Sequence, residues 1–415
     1  MTARIKYPIG IQSFPNVIEG GYVYVDKTMY IRELVTNIKY SFLSRPRRFG
    51  KSLFLSTLEA YFEGRRELFK GLDIDTDDMN WTPRPVIKIS LNTIDPKSED
   101  SLINYISSLF NEYELAYGIL DKEKELSRRF EIILRTAYEY SGQKAAILID
   151  EYDAPLLNTL DNDVLNKAYR ETLRSIFSVL KNYDEYIHFA FVTGVSRFSH
   201  TSLFSGANNL KDISFNTRFS AICGITEDEL HEYFLSGICE YADSADISES
   251  DVFALLKKNY DGYHFSKRLV DVYNPFSLLN ALYDRDISNY WFQSGTPTYL
   301  LKVMRRNDFF LPELDCLESA ESDLSVKESY MNNPVALLFE SGYVTLKSYD
   351  DEKNTYMLGL PNEEVAISFA KLCEGMRQIR DKGYTLPYAD EGRRIIKISA
   401  NYSSKDNNID SWVIE

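Results

Sequence analysis

The sequence predicts an α/β fold built on a mostly parallel sheet. Strand-like and helix-like segments alternate over the first 180 or so residues. Two strand-like segments end in distinctive residues, Asp150-Glu151 and Gly194. After about residue 225 the alternation gives way to helical patterns. Alternating strands and helices imply parallel strands in one layer with helices against it.

Each element has its own reason. Tyr40-Ser41-Phe42-Leu43 reads as a short strand. A helix pattern follows Gly50-Lys51-Ser52, with Leu53, Leu55, Leu58, Tyr61 and Phe62 apolar. Val86 to Leu91 alternates with a period of two. Residues 99–118 and 122–140 read as two helices, and Ala145 to Ile149 as a buried strand. Residues 163–182 are helical, and His188 to Thr193 is a further strand. Thr226, with Glu229 three residues on, marks a helix start. Residues 226–310 are mostly helical. Residues 330–360 read as a helix, then strands Tyr343–Ser348 and Thr355–Leu360 around a polar turn. Helix plus hairpin suits a small winged-helix-like module. Residues 362–382 are helical, while Ile395–Ala400 and Trp412–Ile414 are strand-like.

The chain has 415 residues, enough for two or three domains at about 150 residues each. Hydrophobic residues make up 44% and charged residues 26%, a soluble globular balance. The net charge of −15 argues against free-standing binding to nucleic acid or a membrane surface. No apolar run approaches the ~20 residues of a membrane span. The N-terminus lacks the apolar core of a signal peptide. The four cysteines lie far apart, with no metal spacing, which favours a reducing cytoplasm. The four histidines show no ligand spacing either.

The strongest chemical feature is Ser41 to Ser52. A strand runs into a turn and then a helix opening with Gly50-Lys51-Ser52. That is the setting of a P-loop (Walker A), where backbone N–H groups at a helix N-terminus cradle phosphates. The Lys reaches the β- and γ-phosphates and the Ser hydroxyl holds Mg²⁺. The loop comprises Arg45, Pro46, Arg47, Arg48, Phe49, Gly50, Lys51, Ser52 and Leu53, with Arg45 where the first Gly of the pattern belongs. Charge agrees: residues 1–60 carry nine basic and four acidic side chains within an acidic protein.

Ala145 to Asp153 has the Walker B form, an apolar strand ending in two acids. Asp150 is the candidate organiser of the metal's water shell, and Glu151 the base that polarises the attacking water. Asp153 either adds a supporting hydrogen bond or caps the next helix. Thr193, at the end of the following strand, is a candidate γ-phosphate sensor. Arg197 and Arg218 are candidate stabilisers of transition-state charge.

Taken as a set, these segments resemble the bacterial and archaeal AAA-ATPase-like domain proteins. The resemblance rests on Pro8–Phe14, Tyr24–Thr28, Phe42–Ser52, Ile149–Asp153 and Thr193–Ser199. Asn208–Ser214, Ile222–Thr226, Tyr260–Phe265 and Asn274–Leu279 extend it over most of residues 5–365. It implies a P-loop NTPase, a three-layer parallel sheet at 1–225, followed by a helical lid at 226–300. A winged-helix-like module at 301–361 comes next. In that family Arg also replaces the first glycine, with Arg47 and Arg48 compensating by charge. Asn274-Pro275 would occupy the part of the lid that faces the nucleotide. Adenine over guanine rests on the resemblance alone.

Family members usually end in a PD-(D/E)XK nuclease-like domain. Here 362–415 reads as its truncated remnant: Gly383–Tyr388, Ile396–Ser404 and Ile409–Glu415 resemble the closing part. The metal-binding Asp and Glu-x-Lys have no counterpart, so no nuclease activity is expected.

The function expected is an ATP-binding, Mg²⁺-dependent ATP-hydrolysing switch. The alternative is a non-hydrolysing, ATP/ADP-gated adaptor that docks a protein partner at the lid or C-terminal segment. A nucleic-acid-acting protein is a third reading, opposed by the charge and the missing nuclease residues.

Overall fold

The computed structural model describes residues 5–92, 94–120, 125–197, 209–294, 300, 317–324, 334–371, 398–403 and 408–414. Two short helices, α1 (Phe14–Glu19) and α2 (Thr28–Asn37), precede the sheet. The sheet has five parallel strands: β1 (Tyr40–Ser44), β2 (Val86–Ser90), β3 (Ala145–Asp150), β4 (Ile187–Gly194) and β5 (Lys211–Asp212). Their spatial order is β2-β3-β4-β1-β5. The two strands that carry chemistry, β1 and β3, are therefore separated by β4. Thr193 lies level with Leu43, and Asp150 with Ser90.

Helix α3 (Lys51–Phe62) packs against β3 and β4. Helices α4 (Glu99–Ala116) and α5 (Leu126–Ser141) pack on β2 and β3 respectively. The short α6 (Ala154–Leu157) leads into α7 (Asp163–Asn182), which packs on α4 and α5. Ala145 to Ile149 is buried along its whole length, as a central strand covered on both faces requires.

The helices expected from sequence to form a lid, and termed the lid on that expectation, begin at α8 (Glu227–Ala245), opened by the Thr226–Glu229 capping box. The lid continues through α9 (Glu249–Tyr260), α10 (Pro275–Asp284) and the short α11 (Tyr290–Gln293). Leu230, Phe234, Ile238, Leu256, Tyr260 and Leu278 form its own core. Lys27 ties the lid to the N-terminal segment: its Nζ donates to the Glu229 carboxylate and, at 2.9 Å, to the Ala221 carbonyl.

Beyond the lid, β6 (Leu317–Ala320), α12 (Pro334–Glu340), β7 (Thr345–Asp350) and β8 (Thr355–Gly359) form a helix with an antiparallel sheet ordered β6-β8-β7. The helix and hairpin follow the sequence reading, whereas β6 was not anticipated. Leu337, Leu338, Val344 and Leu358 belong to the same core as the parallel sheet. Helix α13 covers residues 363–371, and β9 (Ile398–Ser403) pairs with β10 (Asn408–Ile414) as an antiparallel ribbon. The expected helical stretches 301–310 and 372–382, and the segment Gly383–Tyr388, lie outside the described residues.

Candidate active site

The carboxyl ends of β1 and β3 open into a cleft of about 420 Å³. Crevices outside the carboxyl ends of parallel strands are where open α/β sheets bind ligands. Gly50 precedes α3 with φ of +95°, a left-handed turn that favours glycine. No side chain caps α3. The first-turn N–H groups of an uncapped helix remain available to an anion.

Lys51 is buried, and its Nζ donates to the carbonyl oxygens of Arg45 and Pro46, each at 2.9 Å. An ammonium has three N–H donors, so one is left for the cleft. Burial lowers the basicity of Lys51, against the opposing fields of Glu151 and Asp150. Ser52, Arg47 and Arg48 also line the cleft. The guanidinium of Arg48 stands 5.0 Å from the centre of the lid's Phe276 ring.

Across the cleft, β3 ends at Asp150 and the chain turns at Glu151, whose φ is +49°. A non-glycine residue in that region is strained, and such strain concentrates at functional sites. Glu151 lines the same cleft as Lys51. Burial raises its carboxyl pKa, while Lys51 acts in the opposite sense. Asp150 accepts from the Glu151 N–H at 3.0 Å. It also lines an adjoining polar trough together with Ser52. Both offer hard oxygen atoms of the kind that Mg²⁺ takes as ligands. Asp153 stands at the N-cap position of α6, but its side chain makes no capping bond and acts as a support instead. Its buried carboxylate accepts from the N–H groups of Val195 and Ser196 and from the Ser196 hydroxyl, tying β3's end to β4's.

The structure places several of the residues singled out from sequence away from the cleft lining. Arg45 is 1% exposed and turns inward: it donates to the carbonyls of Ser44, Ser214 and Phe219 and stacks over Phe265. Its side chain serves the loop's structure; only its carbonyl reaches Lys51. Phe49 is buried against Tyr263 and Phe265, and Pro46 packs on Gly342. Thr193 is fully buried, its hydroxyl without a hydrogen-bond partner, and does not line the cleft. Arg197 is engaged by Asp212 at 2.8 Å beneath Phe215. Arg218 lies on the outside, paired with Glu33 at 3.0 Å. Asn274 caps α10 through the N–H groups of Phe276 and Ser277, and it is Pro275 that lines the cleft.

Other lining residues had no assigned role: Gln12, Asn92, Trp291, Ser341 and Tyr343. Gln12 lies in a segment already singled out by resemblance. The remaining four carry no local pattern and come from distant parts of the chain. Beside the cleft sits a smaller, largely apolar slot of about 90 Å³, lined by Pro8, Val25, Gly50, Leu53, Ile225 and Leu279.

Residues 8–204 match the model of a family described as predicted AAA-ATPase. A protein of Azotobacter chroococcum mcd 1, described as an uncharacterized protein in the vnfD 5' region, is 38% identical over 370 residues. The match covers 88% of this chain and 69% of that protein. Among solved structures, the ORC1 protein of Aeropyrum pernix, determined in complex with DNA, is similar over 85% of this chain and 93% of its own. The identity is 11% and the TM-score 0.29, too low to inform the site.

Proposed function

The chain belongs to the predicted AAA-ATPase family, and on that premise we propose that it binds ATP with Mg²⁺ and hydrolyses it as a switch. The observation that carries this reading is Lys51 and Glu151 lining one cleft at the open N-terminus of α3. The loop N–H groups and Lys51 would hold the β- and γ-phosphates. Ser52 and Asp150 would hold the metal, which when bound neutralises charge on the phosphate oxygens. Glu151 orients the attacking water and accepts its proton at a carboxylate oxygen. Its burial-raised pKa makes it a stronger base than an exposed carboxylate. The neighbouring apolar slot suits the flat face of a base.

One observation favours the adaptor reading. Among the described residues, Arg47 and Arg48 are the arginines that line the cleft, while Arg197 and Arg218 are paired elsewhere. A site with no further charge stabiliser would turn over slowly on its own. Mg²⁺-dependent phosphate release from ATP, with wild type beside Lys51→Ala, tests the main reading. Release abolished by the substitution supports an ATPase. Tight, Lys51-dependent ATP binding without release supports the adaptor.

A further inference from the structure

Helix α13 reaches the phosphate loop through a buried chain of hydrogen bonds. Glu364, at its first turn, is 1% exposed. One carboxylate oxygen accepts from the Ser277 hydroxyl of α10 at 2.7 Å. The other accepts from the backbone N–H of Trp291, the second residue of α11, at 2.7 Å. The indole Nε1 of Trp291 then donates to the carbonyl oxygen of Arg47 at 3.2 Å. That carbonyl belongs to the loop expected to cradle phosphates, and Trp291 itself lines the cleft.

A second contact runs to the same loop from the turn after α12. Gly342 has φ of +87°, and a Cβ there would stand 2.9 Å from Cβ of Pro46. Glu340, just before it, accepts from the Arg197 N–H at 2.8 Å. Residues 334–371 thus touch the loop at Pro46 directly and at Arg47 through Trp291.

We propose that Glu364 is a positioning residue: seated between α10 and α11, it fixes Trp291 against Arg47 and so sets the phosphate affinity of the loop. This rests on the nucleotide reading above. A buried carboxylate with hydrogen-bond donors on two lid helices joins α13 to both of them. Displacing α13 would release Trp291, and with it the Arg47 carbonyl. Nucleotide affinity and the seating of the C-terminal segment then become one coupled equilibrium, each biasing the other.

The test is a double-substitution cycle on the full chain, read as the dissociation constant for Mg²⁺-ATP alongside thermal melting. Trp291→Phe keeps a ring in place and removes the indole N–H. Glu364→Gln keeps the shape and weakens the acceptor. Each is expected to weaken ATP binding about tenfold. The pair together should do little more than either alone, because both act through one chain of contacts. Ser277→Ala stands in for Glu364→Gln if that variant does not fold. Singles within twofold of wild type, or fully additive losses, overturn the proposal while leaving the nucleotide reading intact. A folded wild type that binds no ATP overturns both.

Discussion

The ammonium of Lys51 lies 2.9 Å from the carbonyl oxygen of Arg45, six residues earlier in the same loop. The lysine therefore closes its own loop before any ligand arrives. Burial disfavours its charge. Replacing it with Met relieves that burden but leaves the Arg45 and Pro46 carbonyls without this donor, so the ligand-free melting temperature should change little. The gain in stability on adding Mg²⁺-ATP should vanish. For wild type that gain should be about 2.7 kcal/mol at a hundredfold excess over the dissociation constant. Melting curves with and without Mg²⁺-ATP decide it; an undiminished shift in Lys51→Met would remove Lys51 from the site.

Glu151 is assigned to proton transfer, not to binding. Glu151→Gln should retain ATP affinity within a few-fold and lose turnover by roughly 10²-fold or more. Single-turnover phosphate release at saturating protein measures this. Normal turnover in the variant would sink the assignment.

Arg45 gives the opposite pattern. Its guanidinium satisfies three buried carbonyls, and burial pushes its pKa down to about 10. Arg45→Met leaves those acceptors unpaired and should cost about 3 kcal/mol of stability. ATP affinity, measured where the variant is still folded, should fall far less than in Lys51→Ala. Denaturant midpoints and equilibrium binding together test the assignment; an unchanged midpoint would contradict the structural role.

Glu364 makes stability depend on pH. Burial pushes its carboxyl up to about 7, from 4.5. Between those values the folded chain holds this proton more tightly than the unfolded chain, so stability falls as pH rises through the window. Its neighbours Tyr260 and Tyr263 are both pushed upward by burial and stay neutral there. Glu364→Gln should remove a slope worth up to about 3 kcal/mol between pH 4.5 and 8. Urea midpoints of both proteins across that range provide the comparison. Parallel curves would show that Glu364 does not titrate there.

Local chemistry made part of this architecture readable. Ala145 to Asp150 is a strand because its run of apolar residues can only be buried, and Thr226 with Glu229 starts a helix because each caps the other. Lys51, Ser52 and Glu151 could be placed because their spacing from strand ends is short. The inward turn of Arg45 could not be read, since its acceptors Ser214 and Phe219 lie some 170 residues away. Arg197 carried no mark of its pairing with Asp212, nor Trp291 of its reach to Arg47. In each case the deciding partner is remote in sequence, and charge alone does not say which partner an arginine finds.

The placing of β1 has a consequence for assembly. Its hydrogen-bonded neighbours are β4 and β5, and Tyr40 pairs with Ala190, about 150 residues downstream. During synthesis the loop that follows β1 is made early, yet its strand has no edge to join until β4 has emerged. Such non-local pairing slows folding and leaves an early segment waiting. A nascent or fragmentary chain ending before Ile187 would contain Lys51 and Glu151 but not the strand that sets one beside the other. On the proposed nucleotide reading, capture of ATP therefore reports that β4 has taken its place between β1 and β3.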